Sequence, residues 1–146
     1  MLYRNLLAGF CFLFAANLAI AADAERHQQV DGMNIYLGVI PAQLTQEHPG
    51  MHSGGADKKH RYHVLVALFD IKSGKRITDA KIKATISPLG MGGDTKELEP
   101  MHSKLLSYGN YFTLHRPELY RIRVEIQRKE SEGSSVANFV FQRPRN

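Results

Sequence analysis

The chain has 146 residues and a formal net charge of +5, and its only cysteine, Cys11, lies in an apolar N-terminal run. The chain beyond that run can therefore form no disulfide, hold no cysteine-ligated iron–sulfur cluster and attach no haem covalently. The excess of basic residues is modest and dispersed, and no nucleic-acid partner is expected. The excess is interpreted as solvated charge on an exposed face or as a weak attraction to anionic envelope surfaces.

The first 24 residues have the pattern of a secretory signal peptide. One positive charge, Arg4, precedes an apolar run from Leu6 to Ile20, and small residues follow as far as Ala24. This run is shorter than the roughly 20 apolar residues that a membrane span needs. We therefore predict a cleaved signal peptide at 1–24, a periplasmic location, and one soluble domain at 25–146 with no integral membrane segment.

The segments that follow have the alternation of β-strands rather than a helical period. Residues 25–31 are polar and are predicted to be irregular. The apolar density of His60–Asp70 suggests a strand buried on both faces, whereas Ala80–Ile86 and Tyr120–Gln127 alternate apolar and polar side chains. Seven strands are predicted in all, at Met33–Ile40, His60–Asp70, Ala80–Ile86, Lys96–Met101, Leu105–Leu114, Tyr120–Gln127 and Ala137–Phe141.

These short strands, separated by turn signals such as Ser73–Lys75 and Pro88–Gly93, predict an all-β fold. The arrangement expected is an antiparallel immunoglobulin-like β-sandwich of about seven strands. Tyr120 begins a late strand, where a tyrosine corner would bond its hydroxyl to the upstream backbone. An ordinary core tyrosine is the alternative at this position.

The connection at 45–59 concentrates imidazole and thioether side chains among glycine and proline. It reads HPGMHSGG from His48 to Gly55 and has no apolar period. A thioether is a soft ligand that suits Cu(I), and imidazole binds both copper and zinc. The sequence therefore predicts a copper site around His48, Met51 and His52, and a polar, solvated loop is the alternative.

Alternate connections of an antiparallel sandwich share one end, because consecutive strands reverse direction. By this rule the 45–59 loop meets the connections that contain Met91 and His115, and a second pair of candidate ligands falls at the opposite end. The predicted metal ligands are His48, Met51, His52, His60, His63, Met91 and His115, with Met101 and His102 as the secondary candidate.

Enzymatic patterns are absent from the sequence. It contains neither a G-x-S-x-G nucleophile elbow nor an H-E-x-x-H metalloprotease motif. The glycine-rich segment Gly90–Lys96 lacks the spacing of a phosphate-binding loop. Glu97 and Glu99 are expected to be solvated rather than catalytic, so the protein is not expected to be an enzyme.

The segment Ser73–Ile82, which reads SGKRITDAKI, resembles the opening of YtkA-like and FixH-like exported domains. The later Tyr111–Phe112 and Leu119–Val124 are similar to the end of that motif, so the resemblance covers about residues 62–127. It implies an immunoglobulin-like sandwich in the cell envelope, of a kind that often accompanies copper-handling systems. The chain differs from FixH-like proteins in lacking a retained membrane helix.

Together these features predict a periplasmic protein that captures copper or delivers it to an envelope metal-transport or metal-handling protein. The alternative is an envelope interaction or structural module without metal. Such a module would dock through its edge strands or through the segment Tyr108–Phe112.

Overall fold

The computed structural model describes residues 26–44, 58–101 and 106–145. These form eight β-strands, and every strand pairing is antiparallel. The predicted all-β antiparallel fold is therefore confirmed. The strands are β1 (His27–Val30), β2 (Met33–Pro41), β3 (Arg61–Asp70), β4 (Ala80–Pro88), β5 (Asp94–Pro100), β6 (Tyr108–Thr113), β7 (Leu119–Arg128) and β8 (Ser134–Gln142).

The strands follow the order β1-β2-β3-β6-β5-β4-β7-β8 in one hydrogen-bonded sheet that folds into two layers. The layers join where β5 pairs with β6 at only two positions, Glu99 with Gly109 and Pro100 with Tyr108. At the other edge, the Gln28 side chain exchanges hydrogen bonds with the backbone N–H and C=O of Asn138. This amide bridge between β1 and β8 nearly closes the sheet.

The prediction that residues 25–31 are irregular is wrong for His27–Val30, which form β1. Asp31 and Gly32 both have positive φ, at 46° and 76°, as the two central residues of a tight hairpin require. Asp-Gly is a strong signal for such a turn, and it aligns β1 against β2 although β1 itself is polar.

The core lies between the two layers and is built from the alternating apolar positions. Even-numbered side chains of β4 and β7 and odd-numbered side chains of β8 point inward, as the alternation predicts. Tyr108 joins the layers, because its buried hydroxyl accepts a hydrogen bond from the Ala80 N–H at 3.0 Å, and burial raises its pKa. The buried side chains of these three strands are Ile82, Ala84, Ile86, Tyr120, Ile122, Val124, Ile126, Ala137, Phe139 and Phe141.

The predicted turn after β3 is present. The Asp70 carboxylate accepts hydrogen bonds from the Ser73 N–H and hydroxyl, both at 2.7 Å, and Gly74 adopts a φ of 67°. These hydrogen bonds favour the charged carboxylate and lower the pKa of Asp70. The two hydrogen bonds therefore stabilise the turn fully at pH values above the ordinary carboxyl pKa. This stabilisation is lost as the pH falls through the lowered pKa of Asp70.

Tyr120 forms the predicted tyrosine corner. Its hydroxyl accepts a hydrogen bond from the Arg116 N–H at 3.2 Å and donates one to the Arg116 C=O at 3.1 Å. The ring is 4% exposed. This side chain therefore fixes the connection between β6 and β7, which carries His115.

Replacing Tyr120 with phenylalanine is expected to lower the free energy of unfolding by about 1–3 kcal/mol, because both backbone hydrogen bonds are lost. Tyr62→Phe is the matched control, since the buried Tyr62 hydroxyl has no hydrogen-bond partner among the described residues. That change should be neutral or stabilising. Urea denaturation of both variants measures the difference, and equal losses would contradict the role of the corner.

Candidate metal site

Several predicted ligands flank one end of the sandwich, as the alternation of strand direction requires. The Leu114 N–H donates to the His60 C=O at 2.8 Å, which places the end of β6 beside the start of β3. His115 follows directly, and Met91 lies on the connection that leaves β4 at the same end. We call this the His115 end. His48, Met51 and His52 lie outside the described residues, as does His102, and their assignment as ligands stays a prediction.

His60 and His115 are neighbours at this end, with ring centroids 5.7 Å apart. Nδ1 of His60 lies 3.0 Å from Nη2 of Arg143, whose side chain is buried. A guanidinium group can only donate, so His60 Nδ1 accepts and the ring proton lies on Nε2 of the neutral imidazole. In this arrangement His60 could bind a metal through Nδ1 only after releasing Arg143.

Met91 is 62% exposed on the connection between β4 and β5. Its N–H donates to the Pro88 C=O at 3.2 Å in a turn where Gly90 has a φ of 77°. Met91 therefore projects from a turn rather than filling the core.

His63 and Met101 converge on the outer face of the layer that contains β3 and β6. A methyl group added at Gly109 would lie 2.7 Å from His63 Nε2 and 3.1 Å from Met101 Sδ. The imidazole nitrogen and the thioether sulfur therefore face the same small space above the glycine. His63 is only 7% exposed although it points away from the core, and Met101 is half-buried.

A stack of three side chains holds the His63 ring in place. The His63 and Tyr111 rings are nearly parallel, with centroids 4.5 Å apart and an interplanar angle of 17°. The Arg61 guanidinium lies over the Tyr111 ring, 4.7 Å from its centroid. Since β3 and β6 pair His63 with Tyr111, the register of these two strands builds the stack.

The two-ended prediction separated His63 from Met101, and the structure brings them together. Met101 extends β5 by one residue, and its N–H donates to the Ser107 C=O at 2.8 Å just before β6 begins. The two side chains face the same space because Gly109 has no side chain to fill it. A glycine inside a strand often marks such a close approach, so Gly109 was the sequence signal for this pair.

The His63–Met101 pair fits copper better than zinc or a hard cation. Thioether sulfur is a soft donor that favours Cu(I), and imidazole is a common copper ligand. Glu99 pairs with Gly109 on the same face and adds an exposed carboxylate nearby. Among residues 26–44, 58–101 and 106–145, no three His, Cys, Asp or Glu side chains cluster as a metal site. Any further donors would come from elsewhere in the chain or from a partner.

The part of the chain that the structure describes contains no helix of the length and apolarity needed to cross a membrane.

Comparison with models of known protein families gives no match, and comparison with curated proteins gives none either. Solved structures do match. A copper-bound variant of FetP from uropathogenic Escherichia coli is 14% identical, with a TM-score of 0.62, and the match covers 82% of this chain and 95% of that one.

Two other solved structures are similar to the same extent. A DUF4426 family protein from Pseudomonas aeruginosa is 17% identical, with a TM-score of 0.63 over 84% of this chain and 96% of that one. A copper-bound variant of the Campylobacter jejuni protein P19 is 12% identical, with a TM-score of 0.64 over 82% of this chain and 94% of that one.

These likenesses establish the fold alone, because fold similarity at such low identity does not carry function with it. The sandwich implied by the resemblance to YtkA-like and FixH-like domains is confirmed, whereas membership of that group stays a prediction. The chain is thus an antiparallel β-sandwich similar to FetP and P19, with an imidazole and a thioether meeting on one outer face.

Proposed function

We propose that this protein is a periplasmic, non-enzymatic copper-binding protein that holds the metal on the outer face of β3, β6 and β5. The observation that carries the proposal is the convergence of His63 Nε2 and Met101 Sδ on the space above Gly109. Copper-bound forms of FetP and P19, which share the fold, support the choice of metal.

The donor chemistry suits copper capture and release outside the cytoplasm. Thioether and imidazole ligands do not form disulfides, unlike thiolates in an oxidising compartment. The half-buried Met101 lies at the end of a strand, where a partner could exchange the ligand. The proposed receiver or donor of the metal is an envelope metal-transport or metal-handling protein.

Two donors do not complete a copper site, so further ligands are part of the proposal. His102 follows Met101 directly in the sequence, and His48, Met51 and His52 occur in the 45–59 loop. We propose that one or more of these side chains complete the coordination. His60 and His115 are less suited to this role, because Arg143 engages His60 at the His115 end.

Copper titration tests the proposal. The exported form of the protein competes for Cu(I) with a chromogenic chelator, and Met101→Leu is expected to weaken the affinity by about tenfold or more. Leucine keeps the volume and removes the sulfur. Met91→Leu, which removes the exposed thioether at the His115 end, is the matched control and should leave the affinity unchanged.

The same titration separates the contributing segments. Weaker binding in Met51→Ala or His52→Ala would add the 45–59 loop to the site, and unchanged binding would exclude those two side chains. Loss of affinity in Met91→Leu but not in Met101→Leu would overturn the outer-face site in favour of the His115 end. Absence of copper binding in the unmodified protein would leave the non-metal interaction module as the better explanation.

A further inference from the structure

Four exposed apolar residues lie on paired or neighbouring backbone segments at one corner of the sandwich, at the His115 end and away from the end at which Met101 follows β5. Leu89, Met91, Leu119 and Val140 are 50%, 62%, 40% and 48% exposed. The Leu89 N–H donates to the Leu119 C=O at 3.3 Å, and Val140 pairs across β7 and β8 with Arg121, two residues after Leu119. We call these four residues the apolar corner.

The local backbone explains how these side chains come to be exposed. Leu119 and Val140 occupy outward positions of β7 and β8, which alternate with the buried Tyr120 and Phe139. Leu89 and Met91 flank Gly90 in the turn that leaves β4. Isolated apolar side chains on a surface are ordinary, but an adjoining group marks a contact surface.

Exposed arginine residues lie beside the apolar corner. Arg121 pairs with Val140 and lies two residues after Leu119, and Arg116 precedes β7. Arg145 follows β8 beyond the hydrogen bond from the Arg143 N–H to the Glu118 C=O at 3.1 Å. Glu118, the acidic residue of this connection, is half-buried. Asp94, three residues after Met91, pairs with Lys96 at 3.4 Å. The corner therefore combines protruding apolar tips with a rim on which exposed arginines are in excess.

We propose that the apolar corner docks this protein onto an anionic lipid surface. The leucine and methionine side chains enter the boundary between headgroups and acyl chains, and the arginines contact lipid phosphate groups. Side chains that project from a turn fit a deformable lipid surface better than they fit the rigid groove of a protein partner. The excess of arginines on the rim matches a surface of anionic headgroups by charge.

This docking goes beyond copper binding and is compatible with it. The apolar corner lies at the His115 end, on β7, β8 and the turn that leaves β4, whereas Met101 follows β5 at the opposite end and faces the same space as His63 of β3. A protein held by the corner would keep the proposed metal site open to a partner.

Vesicle flotation tests the docking. The exported form of the protein should float with vesicles of phosphatidylethanolamine and phosphatidylglycerol, less so at high salt, and not with phosphatidylcholine alone. The double variant Leu89→Ser with Met91→Ser should lose at least about tenfold of this partitioning, because two apolar anchors are removed. Arg121→Gln should lose about fivefold.

Matched controls at the opposite end of the sandwich distinguish binding through the apolar corner from nonspecific binding of exposed apolar residues to vesicles. Ile71 and Leu106 are 40% and 49% exposed there, and Ile71→Ser with Leu106→Ser should float like the unmodified protein. Lys129→Gln is the control for the charge change. Absence of flotation, or equal losses in corner and control variants, would overturn the proposal. So would concentration-dependent self-association, without vesicles, that the corner variants abolish, since the corner would then join two copies of the chain.

Discussion

Replacing Gly109 with alanine is expected to weaken copper binding by about 100-fold while leaving the sandwich folded. The new methyl group would lie 2.7 Å from His63 Nε2, 2.8 Å from Leu65 Cδ2 and 3.1 Å from Met101 Sδ. All three atoms are at or near the ends of side chains, so they can shift without displacing a strand, and the shift of the His63 ring disturbs its stack on Tyr111. That movement separates the two donors that the proposed site requires.

Gly38→Ala provides the matched control for this substitution. Gly38 lies on β2 and pairs with Leu65, so it adjoins the same leucine from the opposite side. A methyl group there would meet Leu65 Cβ at 3.5 Å, which is an ordinary contact. Its copper affinity should therefore match that of the unmodified protein.

Competitive Cu(I) titration measures the affinity of both variants, and circular dichroism with thermal unfolding shows whether each keeps the fold. Folded Gly109→Ala protein with undiminished copper affinity would refute the outer-face site. Equal weakening in Gly38→Ala would show that the effect comes from general disturbance of the sheet rather than from the two donors.

Replacing Phe139 with alanine is expected to cost about 3–5 kcal/mol of unfolding free energy. Phe139 is 2% exposed on the inward face of β8 and pairs with Ile122 of β7. Truncation removes the aromatic ring from the core between the two layers of the sandwich. In a sandwich without a disulfide in the described strands, a loss of this size is a large share of the roughly 5–15 kcal/mol that stabilises a domain.

The neighbouring Val140 provides the control, because it is 48% exposed on the opposite face of the same strand. Val140→Ala should change the free energy of unfolding by no more than about 0.5 kcal/mol. Chemical denaturation compares the two variants. Similar losses would mean that the strand does not present alternate faces to core and solvent.

Alternation in the sequence was enough to predict most of the fold. Ile82 and Ala84 on β4, and Ile122 and Val124 on β7, are separated by polar residues, and such a pattern is buried only when the chain is extended. The tyrosine corner at Tyr120 was predictable as one of two alternatives, since the residue stands at the start of a late strand. The polar β1 was missed because its pairing depends on a turn and a partner strand rather than on its own apolar pattern.

The sequence by itself determined seven of the eight described strands, all but β1, together with their inward faces and the end of the sandwich to which each described connection belongs. These features follow from backbone geometry and from apolar burial, which act between residues close together in the chain. Only the tertiary structure decided that His63 and Met101 face the same space and that His60 contacts Arg143. Those contacts depend on the register of β3, β6 and β5 and on the missing side chain at Gly109, which bring together residues that are distant in sequence.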